Sequence, residues 1–175
     1  ARLANRSMLG IEFTKVVSGL LDTLTALGAA SDRFGVVGHS AGGTFAVAAA
    51  AADERIRACC SNGGSPDPKQ GAAKFPRVQQ RIGRMRGEST TEAELMAFFD
   101  ALNLEHAARH MRARLLCLHG GQDALVSNAE MHRLVELRGA QNATLEYWPE
   151  GVHCLYNHSV ERNSVLTAWF ARELR

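Results

Sequence analysis

No run of about eighteen consecutive apolar residues, the length that a bilayer-spanning helix needs, occurs in this sequence of 175 residues. We therefore expect no membrane span. An excess of charge of one sign is also lacking, because 20 basic residues stand against 18 acidic ones. Basic residues are concentrated only between Arg77 and Arg86, as on a solvated helix face. The charge balance predicts no nucleic-acid partner.

Cysteines are few and lack the spacing of a zinc site or the density of a disulfide scaffold. The four are Cys59, Cys60, Cys117 and Cys154. Reduced thiols in a cytoplasmic protein are the simplest interpretation. Adjacent Cys59 and Cys60 lie in an apolar segment and are expected to fill a buried strand as small apolar residues.

Segments rich in apolar residues alternate along the chain with segments of helical periodicity. Strands are predicted at residues 34–37, 56–61, 114–118 and 144–148, and helices at 10–27, 42–52, 131–137 and 160–174. Such alternation implies right-handed crossovers between parallel strands. The sequence therefore predicts an α/β fold with a mainly parallel sheet flanked by helices, in one domain over residues 1–175.

One interval, residues 66–111, breaks the alternation because it offers helices and no strand. Helices are expected at about 75–86, at about 91–102 and near His106. The length exceeds what a simple crossover needs, which favours a small helical lid over an ordinary crossover with one longer helix. The lid's apolar residues are expected either to shape an apolar pocket or to belong to the core: Phe75, Met85, Leu95, Phe98 and Phe99.

A candidate nucleophile lies in the turn Gly38-His39-Ser40-Ala41-Gly42, between a predicted strand and a predicted helix. A serine hydroxyl is a poor nucleophile unless a base can reach its proton, and a strained strand-to-helix turn presents it to one. Side chains at Gly38 and Gly42 are expected to collide in so tight a turn. The backbone amide of Ala41, at the helix start, is the expected oxyanion-hole donor.

Candidate acid and base residues follow the nucleophile in the order that this strand-turn-helix arrangement requires. Asp123 follows the predicted strand 114–118, in His119-Gly-Gly-Gln-Asp123, and His153 follows the predicted strand 144–148. Both belong at the carboxyl edge of a parallel sheet, the edge that carries Ser40. The carboxylate would orient the imidazole, and the imidazole would serve as general base and then general acid.

Other histidines compete for these roles. His119 is interpreted as scaffolding beside Asp123, and His158 is a weaker candidate for the base. His39 either lines the substrate pocket or merely fills the variable position of the turn. The remaining three, His106, His110 and His132, lie on predicted helices and favour a surface or lid role.

The segments Gly-His-Ser-Ala-Gly-Gly, His-Gly-Gly-Gln-Asp and Pro-Glu-Gly-Val-His resemble those of the α/β-hydrolase superfamily. The resemblance covers nearly the whole chain and is closest to the bacterial esterase-like group that includes dienelactone hydrolases, the fermentation-respiration switch type and 2,6-dihydropseudooxynicotine hydrolase. Members of the superfamily carry several strands before the nucleophile strand, and a loop there supplies a second oxyanion donor. We therefore expect a preceding segment, or a second copy of the chain, as a partner.

The resemblance implies hydrolysis of an ester, thioester or related acyl bond in a small-molecule substrate, through a triad of Ser40, His153 and Asp123 and without metal or organic cofactor. Two alternatives stay open. One is hydrolysis of a carbon–carbon bond beside a ketone by the same triad, the reaction of the dihydropseudooxynicotine enzyme. The other is a non-catalytic binding or assembly module that retains the fold.

Overall fold

The computed structural model describes residues 11–70, 80, 91–101 and 103–175. Four strands form one sheet in the spatial order β1-β2-β3-β4, and every neighbouring pair is parallel. The strands are β1 (Phe34–His39), β2 (Ile56–Asn62), β3 (Arg114–Gly120) and β4 (Ala143–Trp148). The prediction of a mainly parallel sheet is confirmed, with each strand one or two residues longer than its apolar segment.

Six α-helices whose bounds are described connect or flank these strands. They are α1 (Ile11–Ala26), α2 (Ala41–Ala52), α3 (Glu92–Ala101), α4 (Glu105–His110), α5 (Asn128–Arg138) and α6 (Ser159–Glu173). Two short 3₁₀ segments, Ala140–Asn142 and His153–His158, precede β4 and α6. None of the helices in this part of the chain combines the length and apolarity needed to cross a membrane.

The central strands β2 and β3 are buried on both faces, which explains their nearly continuous apolar sequences. On one face, Cys59 and Leu115 join a core shared with α1, α2, α4 and α5. On the other, Cys60 and Leu116 pack with residues of α6 such as Trp169. Adjacent Cys59 and Cys60 thus fill opposite faces of one strand, and burial raises the pKa of both thiols.

Helix α1 lies against α2 and presents a second apolar stripe away from it. Phe13 contacts Phe45 with ring centroids 5.0 Å apart, and Leu21 is buried in the core between the helices and the sheet. The helix ends where Gly28 takes φ +95° and the amide of Ala29 bonds the carbonyl of Leu24, the Schellman arrangement that glycine favours. The outward stripe consists of Val16, Leu20, Leu24 and Leu27, all exposed.

The interval between β2 and β3 is described in part. Apart from residue 80, the helix expected at residues 75–86 lies outside the described residues, as do Phe75, Met85 and the side chains of Leu95 and Phe98, whereas Phe99 is buried. Helix α4 packs between α2 and α5, with Leu104 and Ala108 in the main core. The C-terminal part of the interval therefore belongs to the body of the domain.

Candidate active site

Ser40 lies in the turn between β1 and α2 with φ 55° and ψ −128°, a backbone conformation that non-glycine residues rarely adopt. The turn is tied at both ends. The amide of Ser40 donates to the carbonyl of Asn62 at 2.8 Å, and the amide of Gly43 donates to the carbonyl of Ser40 at 2.8 Å. These bonds hold the serine side chain clear of both the strand and the helix.

Glycines around Ser40 allow neighbouring backbone segments to approach closely, but the sequence-based prediction holds for only part of them. A Cβ added at Gly38 would collide with the backbone of Gly42. One added at Gly43 would lie 2.7 Å from Ser61 Oγ and 3.0 Å from Gly64 Cα. At Gly42 the added atom would have no described atom within 4 Å, so the expected side-chain collision there is wrong. Instead, the backbone of Gly42 leaves no room for a side chain at Gly38.

Asp123 lies just beyond β3, and its carboxylate is almost completely buried. One oxygen, Oδ1, accepts the backbone amides of Leu125 at 2.8 Å and Val126 at 3.0 Å. The other, Oδ2, lies 2.8 Å from Nδ1 of His153. Burial acts to raise the pKa of Asp123, but the hydrogen bonds from the imidazole and the two amides outweigh it, and the pKa lies below its ordinary value. The group is therefore a fixed anion at neutral pH.

His153 connects this carboxylate to the serine. Its Nε2 lies 2.9 Å from Ser40 Oγ, while Nδ1 faces Asp123. Because the ionised carboxylate only accepts hydrogen bonds, Nδ1 carries the proton and Nε2 of the neutral ring is free to accept the hydroxyl proton. The hydrogen bond to Asp123 is the main reason that the pKa of His153 is raised, to about 9. The structure thus brings all three sequence-predicted residues together in one hydrogen-bonded chain.

The loops carrying Asp123 and His153 meet through glycines whose role the sequence analysis did not identify. A Cβ on Gly120 would collide with the backbone of Gly151. The amide of Gln122 donates to the carbonyl of Gly151 at 2.9 Å, and the amide of Gly121 donates to the carbonyl of Trp148 at 2.8 Å. The glycines in His-Gly-Gly and Pro-Glu-Gly are the signal that could have predicted this contact.

Ala41 is the first residue of α2, so its amide has no acceptor within the helix. It also lies at the end where the helix dipole favours negative charge. The amide directly follows Ser40 in sequence, which is the position of one oxyanion donor in a strand-turn-helix serine site.

The remaining histidines near the site have other partners. His39 lies with Nδ1 2.7 Å from Nδ2 of Asn62, and desolvation lowers its pKa. Buried His119 bonds Asn128 Oδ1 through Nε2 at 2.7 Å, and its Nδ1 lies 4.0 Å from Asp123 Oδ2. His158 immediately precedes α6, and the ring that contacts Ser40 is that of His153.

The histidines on helices α4 and α5 lie outside the hydrogen-bonded site. His106 and His110 stack on the exposed side of α4 with centroids 4.2 Å apart, and His132 is exposed on α5. They take no part in the hydrogen-bonded chain that begins at Ser40.

Comparison with known proteins places these features in a family. A model described as the prolyl oligopeptidase family matches residues 10–175. The 2,6-dihydropseudooxynicotine hydrolase of Paenarthrobacter nicotinovorans is 27% identical over 159 residues, which cover 90% of this chain and 43% of that protein. The chain therefore spans less than half the length of this relative.

Solved structures resemble the fold over nearly the whole chain. A crystal structure of 2,6-dihydroxy-pseudo-oxynicotine hydrolase superposes with a TM-score of 0.83 at 26% identity, covering 95% of this chain and 47% of that one. An esterase of Pyrococcus furiosus superposes with a TM-score of 0.74 at 15% identity, covering 97% of this chain and 64% of that one. An acylaminoacyl peptidase of Pyrococcus horikoshii superposes with a TM-score of 0.76 at 16% identity, covering 97% of this chain and 28% of that one. The predicted α/β-hydrolase fold is confirmed.

Proposed function

The chain belongs to the prolyl oligopeptidase family, and on that premise we propose that it is a serine hydrolase that cleaves an acyl bond through an acyl-enzyme on Ser40. The observation that carries the proposal is the hydrogen-bonded chain from Ser40 Oγ to His153 Nε2, 2.9 Å, and from His153 Nδ1 to Asp123 Oδ2, 2.8 Å. Serine, imidazole and buried carboxylate in this order are the groups that acyl transfer needs.

In the proposed reaction, His153 Nε2 takes the hydroxyl proton as Ser40 Oγ attacks the substrate carbonyl carbon. The new oxyanion is stabilised by the amide of Ala41, and loss of one such donor typically costs 10²–10³ in rate. The imidazolium, held by Asp123, then gives its proton to the leaving group as the carbon–heteroatom bond breaks. Water, deprotonated by His153, attacks the acyl-enzyme, and the proton returns to Ser40 as the acid leaves.

A small-molecule ester or thioester is the proposed substrate class. The esterase and the peptidase among the structural neighbours are below 25% identity and show the fold alone. The 2,6-dihydropseudooxynicotine hydrolase, at 27% identity, instead favours a second candidate, hydrolysis of a carbon–carbon bond beside a ketone. Both reactions would use the same three residues.

Active-site labelling tests the proposal. In the full-length protein, a fluorophosphonate probe should label the wild type and fail to label Ser40→Ala. Ser164→Ala is the matched control, because Ser164 is exposed on α6 and bonds only the carbonyl of Val160 in the described structure. Absence of a Ser40-dependent adduct would remove the enzyme proposal and leave a non-catalytic binding or assembly module.

Substrate class is tested separately on wild-type protein that has not been exposed to the probe. A series of p-nitrophenyl esters of graded acyl length would define the acyl pocket, and an aryl ketone with a cleavable carbon–carbon bond would test the second candidate. Turnover of the ketone at a higher kcat/KM than every ester would reverse the order of the two proposals.

Two further proposals concern the setting of the protein. The four cysteines are buried and unpaired, which supports a reducing compartment such as the cytoplasm.

The exposed stripe of α1, with Leu20 at 55% and Leu27 at 79% exposure, supports a covering segment of the same protein. In the described part of the chain β1 is an edge strand, so the same segment would also pair with it.

A further inference from the structure

The chain turns sharply just after His153, in a conformation that its sequence does not favour. Cys154 has φ 56° and Leu155 has φ 54°, and neither is glycine. Two consecutive left-handed residues are strained and persist only where surrounding contacts hold them. Leu155 is fully buried, and its amide donates to the carbonyl of Val152 at 2.8 Å. Something must also hold Cys154.

The carbonyl of Cys154 receives two side-chain hydrogen bonds. Nδ2 of Asn62 donates at 2.9 Å, and Nη1 of Arg162 donates at 2.9 Å. Both donors are buried, at 0% and 8% exposure. Arg162 is itself fixed, because its Nε and Nη2 both donate to Oδ1 of Asn163 at 3.0 Å.

Asn62 also contacts the nucleophile turn. Its Nδ2 lies 2.7 Å from Nδ1 of His39, and its backbone carbonyl accepts the amide of Ser40. Because the carbonyl of Cys154 can only accept, the amide orientation of Asn62 is fixed, and so His39 Nδ1 must accept as well. His39 is thereby held as the neutral tautomer with its proton on Nε2. One asparagine therefore joins the serine turn to the histidine turn.

Packing alone does not explain Asn62. It ends β2, whose other buried residues are small or apolar, and within the described residues nothing donates to its Oδ1. A buried acceptor without a partner opposes folding, so the contacts of the Asn62 amide nitrogen must account for its presence here.

We propose that Asn62 and Arg162 are positioning residues that hold the carbonyl of Cys154 and so keep His153 within hydrogen-bonding distance of Ser40. The inference rests on the proposed hydrolase function for its kinetic consequence. Without these donors the strained turn can relax, and the imidazole, one residue away, moves with it. A displacement of about 1 Å at a reacting group lowers rates by roughly 10²-fold.

The kinetic test uses the fluorophosphonate probe with full-length Asn62→Leu and Arg162→Met. The inactivation rate constant should fall roughly 10- to 100-fold while the probe's KI changes less than about threefold. Arg138→Met is the matched control, because Arg138 also donates to backbone carbonyls, of Ala113 and Arg112, but on α5 away from the site. A rate constant within twofold of wild type, or an equal fall in Arg138→Met, would overturn the inference.

Conservative replacement separates positioning from loss of structure. Arg162→Lys keeps one donor for the carbonyl of Cys154 and should recover most of the rate lost in Arg162→Met. If Arg162→Met does not fold, Asn62→Leu measured against Arg138→Met has the same two outcomes, a selective fall for position 62 or none.

A readout independent of turnover distinguishes this inference from the proposed function. The His153 ring can be titrated by NMR in wild type and in Asn62→Leu, a change that alters no charge. Loosening the contact with Asp123 should lower the pKa of His153 toward 6.5. An unchanged pKa contradicts the positioning role. A wild type that the probe does not label contradicts the proposed function instead, and the titration still decides the role of Asn62.

Discussion

At the scale of single residues, Ser40 and Asp123 each lower the stability of the fold at the candidate site. The dihedral angles of Ser40 cost on the order of 1–3 kcal/mol, and Asp123 keeps its charge although its side chain is only 1% exposed. Each is held by neighbouring backbone amides and carbonyls rather than by its own preference. Substitution of either side chain should therefore affect the catalytic rate and the free energy of unfolding to different extents.

Replacing the carboxylate should shift the pH profile. In Asp123→Asn, His153 loses the main cause of its raised pKa, so the pKa falls toward 6.5. The base must be neutral to act, and the acid limb of kcat/KM should therefore move to lower pH while kcat falls on the order of 10⁴-fold, because the tautomer is no longer fixed. A pH series of kcat/KM measures both effects. Asp32→Asn, at an exposed carboxylate, should leave the profile in place.

Two glycines of the nucleophile turn should respond differently to alanine. Gly38→Ala forces a collision with backbone and should destabilise the protein by roughly 1–3 kcal/mol. Gly42→Ala places its methyl where the described structure leaves space and should cost less than about 1 kcal/mol. Urea unfolding of the two variants compares them. Equal losses would contradict the open space beside Gly42.

At the scale of elements, parallel strands bring the site together from distant parts of the chain. β1, β3 and β4 each end at the same sheet edge and are followed by Ser40, Asp123 and His153 respectively. Helix α5 begins close to the acid loop with a capping box in which Ser127 and Glu130 bond each other reciprocally. Ser65, after β2, donates to the same Glu130 at 2.7 Å.

Removing this cap should lower stability without changing chemistry. Ser127→Ala loses the hydroxyl that accepts the Glu130 amide and donates to its carboxylate, which should reduce the free energy of unfolding by about 1 kcal/mol. Asp123 keeps its own amide donors from Leu125 and Val126, so kcat should stay within twofold. Chemical denaturation and steady-state rates provide the two measurements. A large fall in kcat would mean that the cap also positions the acid loop.

At the scale of the whole molecule, α1 carries an exposed apolar surface. The main core buries one face of the helix, while Val16, Leu20 and Leu27 form an apolar stripe open to solvent in the described structure. An exposed apolar stripe of this kind is typical of a surface covered by more polypeptide.

Covering of this stripe can be tested in the full-length protein. If a further segment packs on α1, Leu20→Gln should destabilise by roughly 1–2 kcal/mol, whereas Lys15→Gln, at an exposed polar position of the same helix, should stay within about 0.5 kcal/mol. Thermal unfolding and sedimentation velocity measure stability and assembly. A concentration-dependent dimer that Leu20→Gln dissociates would identify a second copy as the partner, and equal behaviour of both variants would show an exposed stripe.

The parallel sheet could be predicted from sequence because its strands are short, apolar and separated by helical periodicity. Ser40, Asp123 and His153 could be placed at one edge because each follows such a strand. The expected collision at Gly42 failed, since crowding depends on the direction of a Cα–Cβ bond and not on spacing. Asn62 and Arg162 gave no local signal, because their common partner, Cys154, is 92 residues from the first.

The sequence by itself determined the fold class, the order of Ser40, Asp123 and His153 along the chain, and the elements that carry them, because these follow from local periodicity and turn chemistry. Only the tertiary structure decided the 2.9 Å and 2.8 Å hydrogen bonds of the site, the contact of Gly120 with Gly151 and the two donors on Cys154. Their physical reason is the parallel register of the strands, which brings loops together that are far apart along the chain.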